Sequence, residues 1–394
     1  MALEQLLRDG ARSGFETWQS LRHHLHAHPE LSYQEHETAA FVARTLTDWG
    51  LTPNTGVAGT GIVVDVQGQD PGSSLRFLRA DLDALPIHEA TEVPYKSTVP
   101  GVMHACGHDV HTTCLLGAIK LLQDTCAHWS GTVRCLFQPG EEKLPGGASL
   151  LIAEGVLDAP NAQGITGQHV FPELPAGKVG FREGQYMASC DELHVTVTGK
   201  GGHGAMPHKN IDPVLIASHL VVAMQQIVSR GANPEVPSVL SFGRFMAEGA
   251  TNVIPNEVRL EGTFRTLDET WRAEAHKRMV QLAQQLVSSM GGTVDFRIDK
   301  GYPSLFNDPA FTRAQRAKAE SFLGADNVVT LERRMTAEDF AYYTHHMPGC
   351  FYRLGTASPT GDGFTRPVHH PSFNIDEQAL ITGVGLMAYL AARS

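Results

Sequence analysis

Between residues 61 and 155 the chain alternates two hydrophobic periods, and that alternation restricts its fold more than any other feature. GIVVDVQ and SLRFLRA predict strands at 61–67 and 74–80, and the apolar pattern after His111 predicts a helix at 112–123. GTVRCLF then predicts a strand at 131–137, followed by a helix at 147–155. Two earlier helices are predicted at 16–27 and 35–49. Strands separated by helices of this length imply a largely parallel sheet covered on both faces. Ligands bind beyond the carboxyl ends of the strands in such a sheet. Asp81, Asp83, Glu141 and Glu142 each follow a strand run, which is where a site is expected.

The texture changes near residue 185. In DELHVTVTGKGGHGAMP, Leu193, Val195 and Val197 alternate with His194, Thr196 and Thr198, as in a sheet with one open face. A helix at 212–229, strands in VPSVLSFGRFMAEG and NEVRLEGTFRTL, a helix at 268–290 and a strand in GGTVDFRID complete a β-α-β-β-α-β order. That order is the split βαβ pattern of a ferredoxin-like α+β domain. It is expected at 185–298, inserted into an α/β domain made of 1–184 and 299–394, with further helices at 309–322 and 376–391.

A length of 394 residues suits about two domains. The net charge of -11 argues against nucleic acid as a partner. No apolar run approaches a membrane span, and the first thirty residues lack a basic stretch followed by a sustained apolar one. The expected compartment is the cytoplasm. Six cysteines are too few for a disulfide framework, and Cys126, Cys135, Cys190 and Cys350 are expected to be small buried hydrophobes.

Cys106 differs because of its neighbours. MHACGHDVH packs His104, Cys106, His108, Asp109 and His111 into eight residues ahead of the predicted helix. Thiolate and imidazole are good ligands for divalent transition metals, while a cysteine activated by histidine is the competing reading. Further candidates come from three other places: Glu141 and Glu142 in PGEE, His169 in GQHVFPEL, and His369 with His370 in RPVHHPSF. Adjacent carboxylates repel unless a cation or a shared proton compensates them. One could bind metal while the other accepts a proton from water. So many ligands suit two ions sharing a bridge, and the natural chemistry of such a site is hydrolysis of an amide or ester.

The chain resembles the M20 metallopeptidase superfamily, in the aminoacylase and amidohydrolase branch that includes hippurate hydrolase and auxin-conjugate hydrolases. The resemblance rests on HPELSYQE (28–35), RADLDALPI (79–87), GVMHACGHDVH (101–111), PGEE (139–142), GQHV (167–170), GKGGHGAMPH (199–208), TNVIPNEV (251–258), GTFRT (262–266), AEDF (337–340) and HHPSF (369–373). It implies two divalent ions per subunit (Zn, Mn, Co or Ni), with Cys106 bridging them. Glu142 and His369 would complete one ion's set, and His108 and His169 the other's. Glu141 would be the general base, and Asp83 would orient a ligand or balance charge, with Asp109 in a similar role. His104 is not among the ligands the resemblance implies. The inserted domain would close over the site and form a homodimer or a larger assembly of dimers. From it His203 would contact the scissile carbonyl, and Asn252 and Arg265 would bind the substrate's free carboxylate.

Two positions depart from the family's usual pattern. Gly140 stands where Ala often precedes the paired glutamates, and His370 follows the last ligand where Ser or Asn is common. The register HxPxF favours His369 over His370. The reaction implied is hydrolysis of a small N-acyl-L-amino acid to a carboxylic acid and a free amino acid. A dipeptidase or carboxypeptidase, or a biosynthetic N-acetyl-amino-acid deacetylase, is the nearest alternative. A catalytically idle, metal-stabilised binding protein would lack the base or a ligand, and this chain retains Glu141 and all five ligands.

Overall fold

A strand buried at every position needs cover on both faces, and Leu75–Asp81 and Gly349–Ala357 are two such strands. In the computed structural model, which describes residues 2–358 and 366–393, they lie inside an eight-stranded sheet. The sheet order is Asn54–Val57, Gly61–Gln67, Thr132–Gln138, Leu75–Asp81, Ala162–Pro175, Gly349–Ala357, Val179–Phe181, Val328–Thr330. The four central strands are parallel, but Gly61–Gln67 runs antiparallel to Thr132–Gln138, and Val179–Phe181 antiparallel to Gly349–Ala357. The sheet is therefore mostly parallel, as expected, with antiparallel pairings where Gly61–Gln67 and Val179–Phe181 join it. Gly61–Gln67 is reached by a hairpin from Asn54–Val57, whose polar NTGV carries no strand signal, so its direction was hidden.

Helices His108–Asp124 and Ala379–Ala392 pack against each other and against this sheet. Every residue of the second except Ile381 is buried, which explains why it is apolar all round. Their close approach uses Gly117, where a Cβ would stand 2.6 Å from Val384. The first of these helices starts at His108, not at 112, so His108, Asp109 and His111 lie in its opening turns.

Chain packing divides the protein into two units. One comprises Met1–Gly184, Phe306–Glu332 and Asp339–Ser394, and the other Gln185–Leu305 with Arg333–Glu338. The second unit contains a four-stranded antiparallel sheet, ordered Ser238–Met246, Glu257–Thr266, Asp191–Thr198, Thr293–Lys300. With helices Pro213–Gln226 and Glu269–Ser289 this is the β-α-β-β-α-β order of a ferredoxin-like fold. Leu193, Val195 and Val197 enter its core together with Ile216, Leu220, Met224 and Met279.

One helix stands out for its apolarity, and one sequence expectation needs correction. The stretch Pro213–Gly231 is helical throughout and, by length and composition alone, long and apolar enough to cross a membrane. Its Ile216, Leu220 and Met224 are instead buried in the second unit's core. Among the cysteines expected to be buried, Cys135 and Cys350 are, whereas Cys126 is exposed and Cys190 partly so.

Candidate metal centre

The centre is built at the carboxyl ends of adjacent parallel strands, with Asp83 as its organiser. Asp83 Oδ1 accepts the main-chain N–H of Glu141 (3.0 Å), and Oδ2 accepts that of Glu142 (2.9 Å) and the Ser32 hydroxyl (2.6 Å). Oδ1 also meets His108 Nδ1 at 3.2 Å. Burial works to raise this carboxyl's pKa, but the hydrogen bonds from His108, Ser32 and the Glu142 amide hold it below its ordinary value. Asp83 is thus spent on orientation, the role in which a carboxylate fixes an imidazole's tautomer.

His108 and His169 each have one ring nitrogen committed. His108 uses Nδ1 on Asp83, leaving Nε2 buried, without a hydrogen bond and 4.0 Å from both Glu141 Oε2 and Glu142 Oε1. His169 lies within the long strand Ala162–Pro175 rather than in a loop. Its Nδ1 donates to the Val170 carbonyl (2.7 Å), and its Nε2 is 3.4 Å from Cys106 Sγ. His369 adopts φ 65°, donates its main-chain N–H to Ala105 O (2.8 Å) and brings Nε2 to 3.2 Å from Glu142 Oε1. The neighbouring His370 spends its Nδ1 on the Ser372 amide at 3.0 Å.

Two groups result, Cys106–His108–His169 and Cys106–Glu142–His369, each with ligand atoms within 4.8 Å of one another. They share Cys106, so the arrangement is a binuclear divalent-metal-binding site. The fit is chemical as well as geometric. His108 Nε2 and Glu142 Oε1 are buried polar atoms without hydrogen-bond partners. Burial opposes charge on His108, yet Asp81, then Asp83 and Glu142, push its pKa up to about 10. Burial, Glu142, Glu141 and Asp81 together drive the Cys106 thiol well above its ordinary range. Bound cations are the groups that satisfy such a negative field.

A further grouping, Asp81 with His108 and His111, is closed to a cation. The Val170 amide donates to His111 Nε2 (2.9 Å), so that nitrogen is bare and Nδ1 carries the proton toward Asp81 Oδ1 (2.6 Å). Asp81 Oδ2 is held by Arg79 at 2.6 Å. His104 is buried with neither ring nitrogen hydrogen-bonded, and burial brings its pKa down to about 4. Asp109 does not support the ligands as expected; it pairs with Arg22 (2.9 Å) and His26 (2.8 Å).

Glu141 is 7% exposed, and its Oε1 accepts the Asp339 amide at 3.4 Å. Asp339 is fixed in turn by Arg79 (2.6 Å), Gln138 (2.7 Å) and the Ala148 amide (3.0 Å). Arg79 and Asp339 fall inside the RADLDALPI and AEDF motifs, but neither was singled out there for a role. An arginine inside the apolar run LRFLRA was the available signal, because a buried guanidinium requires a carboxylate. His203, Asn252 and Arg265 belong to the second unit. His203 pairs with Val253 across a short ladder, the Asn252 carbonyl accepts the Gly204 amide (2.8 Å), and Arg265 reaches Met335 O at 3.4 Å.

Residues 77–393 match the model of peptidase family M20/M25/M40. The chain is 41% identical over 309 residues to an N-acyl-L-amino acid amidohydrolase of Geobacillus stearothermophilus, covering 78% of this chain and 82% of that one. It is 40% identical over 361 residues to an N-acetyl-L-cysteine deacetylase of Bacillus subtilis, covering 92% and 84%. Among solved structures, a dinuclear metal-binding peptidase of family M20 from Bacillus subtilis superimposes with a TM-score of 0.83 at 34% identity, covering 97% and 98%. With a binuclear centre of this construction, the chain belongs to peptidase family M20/M25/M40, in its amidohydrolase and aminoacylase branch, and is a metal-dependent hydrolase.

Proposed function

We propose that the protein hydrolyses the amide bond of N-acyl-L-amino acids, releasing a carboxylic acid and a free amino acid. The observation that carries this reading is Glu141, a buried carboxylate beside the ligands that neither Cys106-centred group requires. Two divalent ions held by Cys106, His108, Glu142, His169 and His369 would supply positive charge to polarise the scissile carbonyl. Glu141, with one oxygen on the Asp339 amide, takes a proton from the attacking water and returns one to the leaving amine. Asp83 holds His108 and the paired-glutamate turn in place. His203 stabilises the developing oxyanion, and Asn252 and Arg265 bind the amino acid's carboxylate. The names of the amidohydrolase and deacetylase relatives support this substrate class.

Assembly as a homodimer through the second unit accompanies this reading. It is supported by Leu215 and Val222, 52% and 74% exposed on helix Pro213–Gln226, and by the edge strand Ser238–Met246.

The test is kcat/KM of zinc- or manganese-supplemented protein on matched N-acetyl, N-benzoyl, longer N-acyl and unblocked dipeptide substrates. Preference for the blocked substrates is expected, with Glu141→Gln lowering kcat about 10²- to 10⁴-fold while metal content is retained. Preference for unblocked dipeptides would replace this reading with a peptidase.

A further inference from the structure

The turn carrying Glu141 and Glu142 is anchored by Asp83 on its two glutamate amides, and a second anchor comes from Ser32–Glu35. Gly140, just ahead of the pair, has φ 59°, and its N–H donates to Glu35 Oε1 at 2.8 Å. The same oxygen accepts the Tyr33 amide at 2.9 Å, while Glu35 Oε2 accepts the Thr60 hydroxyl at 2.7 Å. One buried carboxylate therefore ties the backbone of Tyr33 to that of Gly140. A Cβ built on Gly140 would lie 2.3 Å from Tyr33 Cε1 and 2.5 Å from Cζ, closer than real Cβ atoms approach. Beyond the glutamates, the Tyr33 hydroxyl donates to Lys143 O (2.8 Å) and accepts from the Gly146 amide (3.0 Å). Gly147 N closes the loop onto Gly140 O at 3.2 Å. Tyr33 itself is held at φ 66°, a left-handed conformation that a residue with a side chain adopts only when its surroundings impose it.

We propose that Tyr33 is a positioning residue that sets where Glu141 and Glu142 stand, and that Gly140 is the complementary gap that admits its ring. The proposal rests on the amidohydrolase reading insofar as Glu141 is the base and Glu142 a ligand.

A double-variant cycle of wild type, Gly140→Ala, Tyr33→Ala and the pair tests it, with kcat and KM measured on an N-acetyl amino acid and zinc affinity measured by calorimetry. Gly140→Ala is expected to lower kcat about 10- to 100-fold through displacement of the turn, with KM changing less than about twofold. In the Tyr33→Ala background the same substitution is expected to lower kcat by no more than about threefold. The left-handed strain of an alanine acts in both backgrounds, so the difference reports the ring alone. Tyr33→Phe keeps the ring and is expected to leave the Gly140→Ala penalty undiminished. Equal penalties with and without the ring, or a Gly140→Ala variant with wild-type kcat, would overturn the proposal. Tyr33→Leu takes the place of Tyr33→Ala if melting shows the latter unfolded. If wild type turns over no N-acyl amino acid, the substrate reading fails while the cycle on zinc affinity still decides the pairing: non-additive losses support it and additive losses overturn it.

Discussion

Each unit contains a buried knot of charge, and the two are balanced differently. In the second unit Asp191 is 0% exposed and fully engaged: Arg272 reaches it through Nε and Nη2 (2.9 and 2.5 Å), His276 Nε2 at 2.7 Å and the Gly301 amide at 3.3 Å. In the first unit Asp81, Asp83, Glu141, Glu142 and Cys106 surround His108, and two polar atoms facing the centre, His108 Nε2 and Glu142 Oε1, are buried without hydrogen bonds. The first knot is neutralised by the chain's own cations. The second is balanced within the chain only at Asp81, by Arg79, and bound cations would supply the rest, which separates a binding site from a structural ion cluster made of similar residues.

That contrast can be broken. The largest effect is expected from Asp191→Asn, which leaves Arg272 without its buried partner and should cost about 3–5 kcal/mol in urea unfolding. Zinc affinity should stay within about twofold of wild type, because the site is in the other unit. A loss of affinity would show that the two knots are not independent. A smaller effect is expected from removing the ions. Chelation should lower stability by about 3 kcal/mol relative to protein held at an ion concentration of about 10 Kd for each of the two sites. The loss should be equal in wild type and Asp191→Asn, and an unchanged melting curve would remove the argument that the first unit's knot is incomplete.

The smallest effect concerns acid. Burial works to raise the Asp191 pKa, but hydrogen bonds from His276 and Arg272 outweigh it and hold the carboxyl below its ordinary value. A depressed native pKa gives stability that is fully present above the unfolded value, about 3.9, and is lost as pH falls through the native one. Wild type should therefore show this loss only below about pH 4, and Asp191→Asn should lack it. A loss beginning near neutrality would assign the pH response to another group.

Much of the centre was readable from the sequence, since cysteine, histidine and paired glutamates at short spacing are seldom placed for packing alone. What holds those ligands was not. Arg79 meets Asp339 across 260 positions and Glu35 meets Gly140 across 105, and no hydrophobic period records such pairings. Local reading also misplaced the start of helix His108–Asp124, because the polar opening HDVH interrupts the apolar pattern and the cap is Gly107 at φ 81°. The ferredoxin-like order was legible because its strands keep one open face and hence a strict alternation. The parallel centre of the first unit's sheet was legible from its alternation with helices, but the reversal at Gly61–Gln67 was not, because the strand that pairs with it, Asn54–Val57, carries no apolar pattern.

The main-chain bond from His369 to Ala105 closes a loop that spans most of the chain, and the whole four-stranded sheet of the second unit lies within that loop. During synthesis that sheet can assemble from contiguous chain while the centre still lacks its last ligand. A nascent chain therefore offers metal only a partial set of donors, and full capture waits until residues near the carboxyl end have folded back. If His369 is a ligand as proposed, a complete donor set is expected only in molecules whose distant segments have already met.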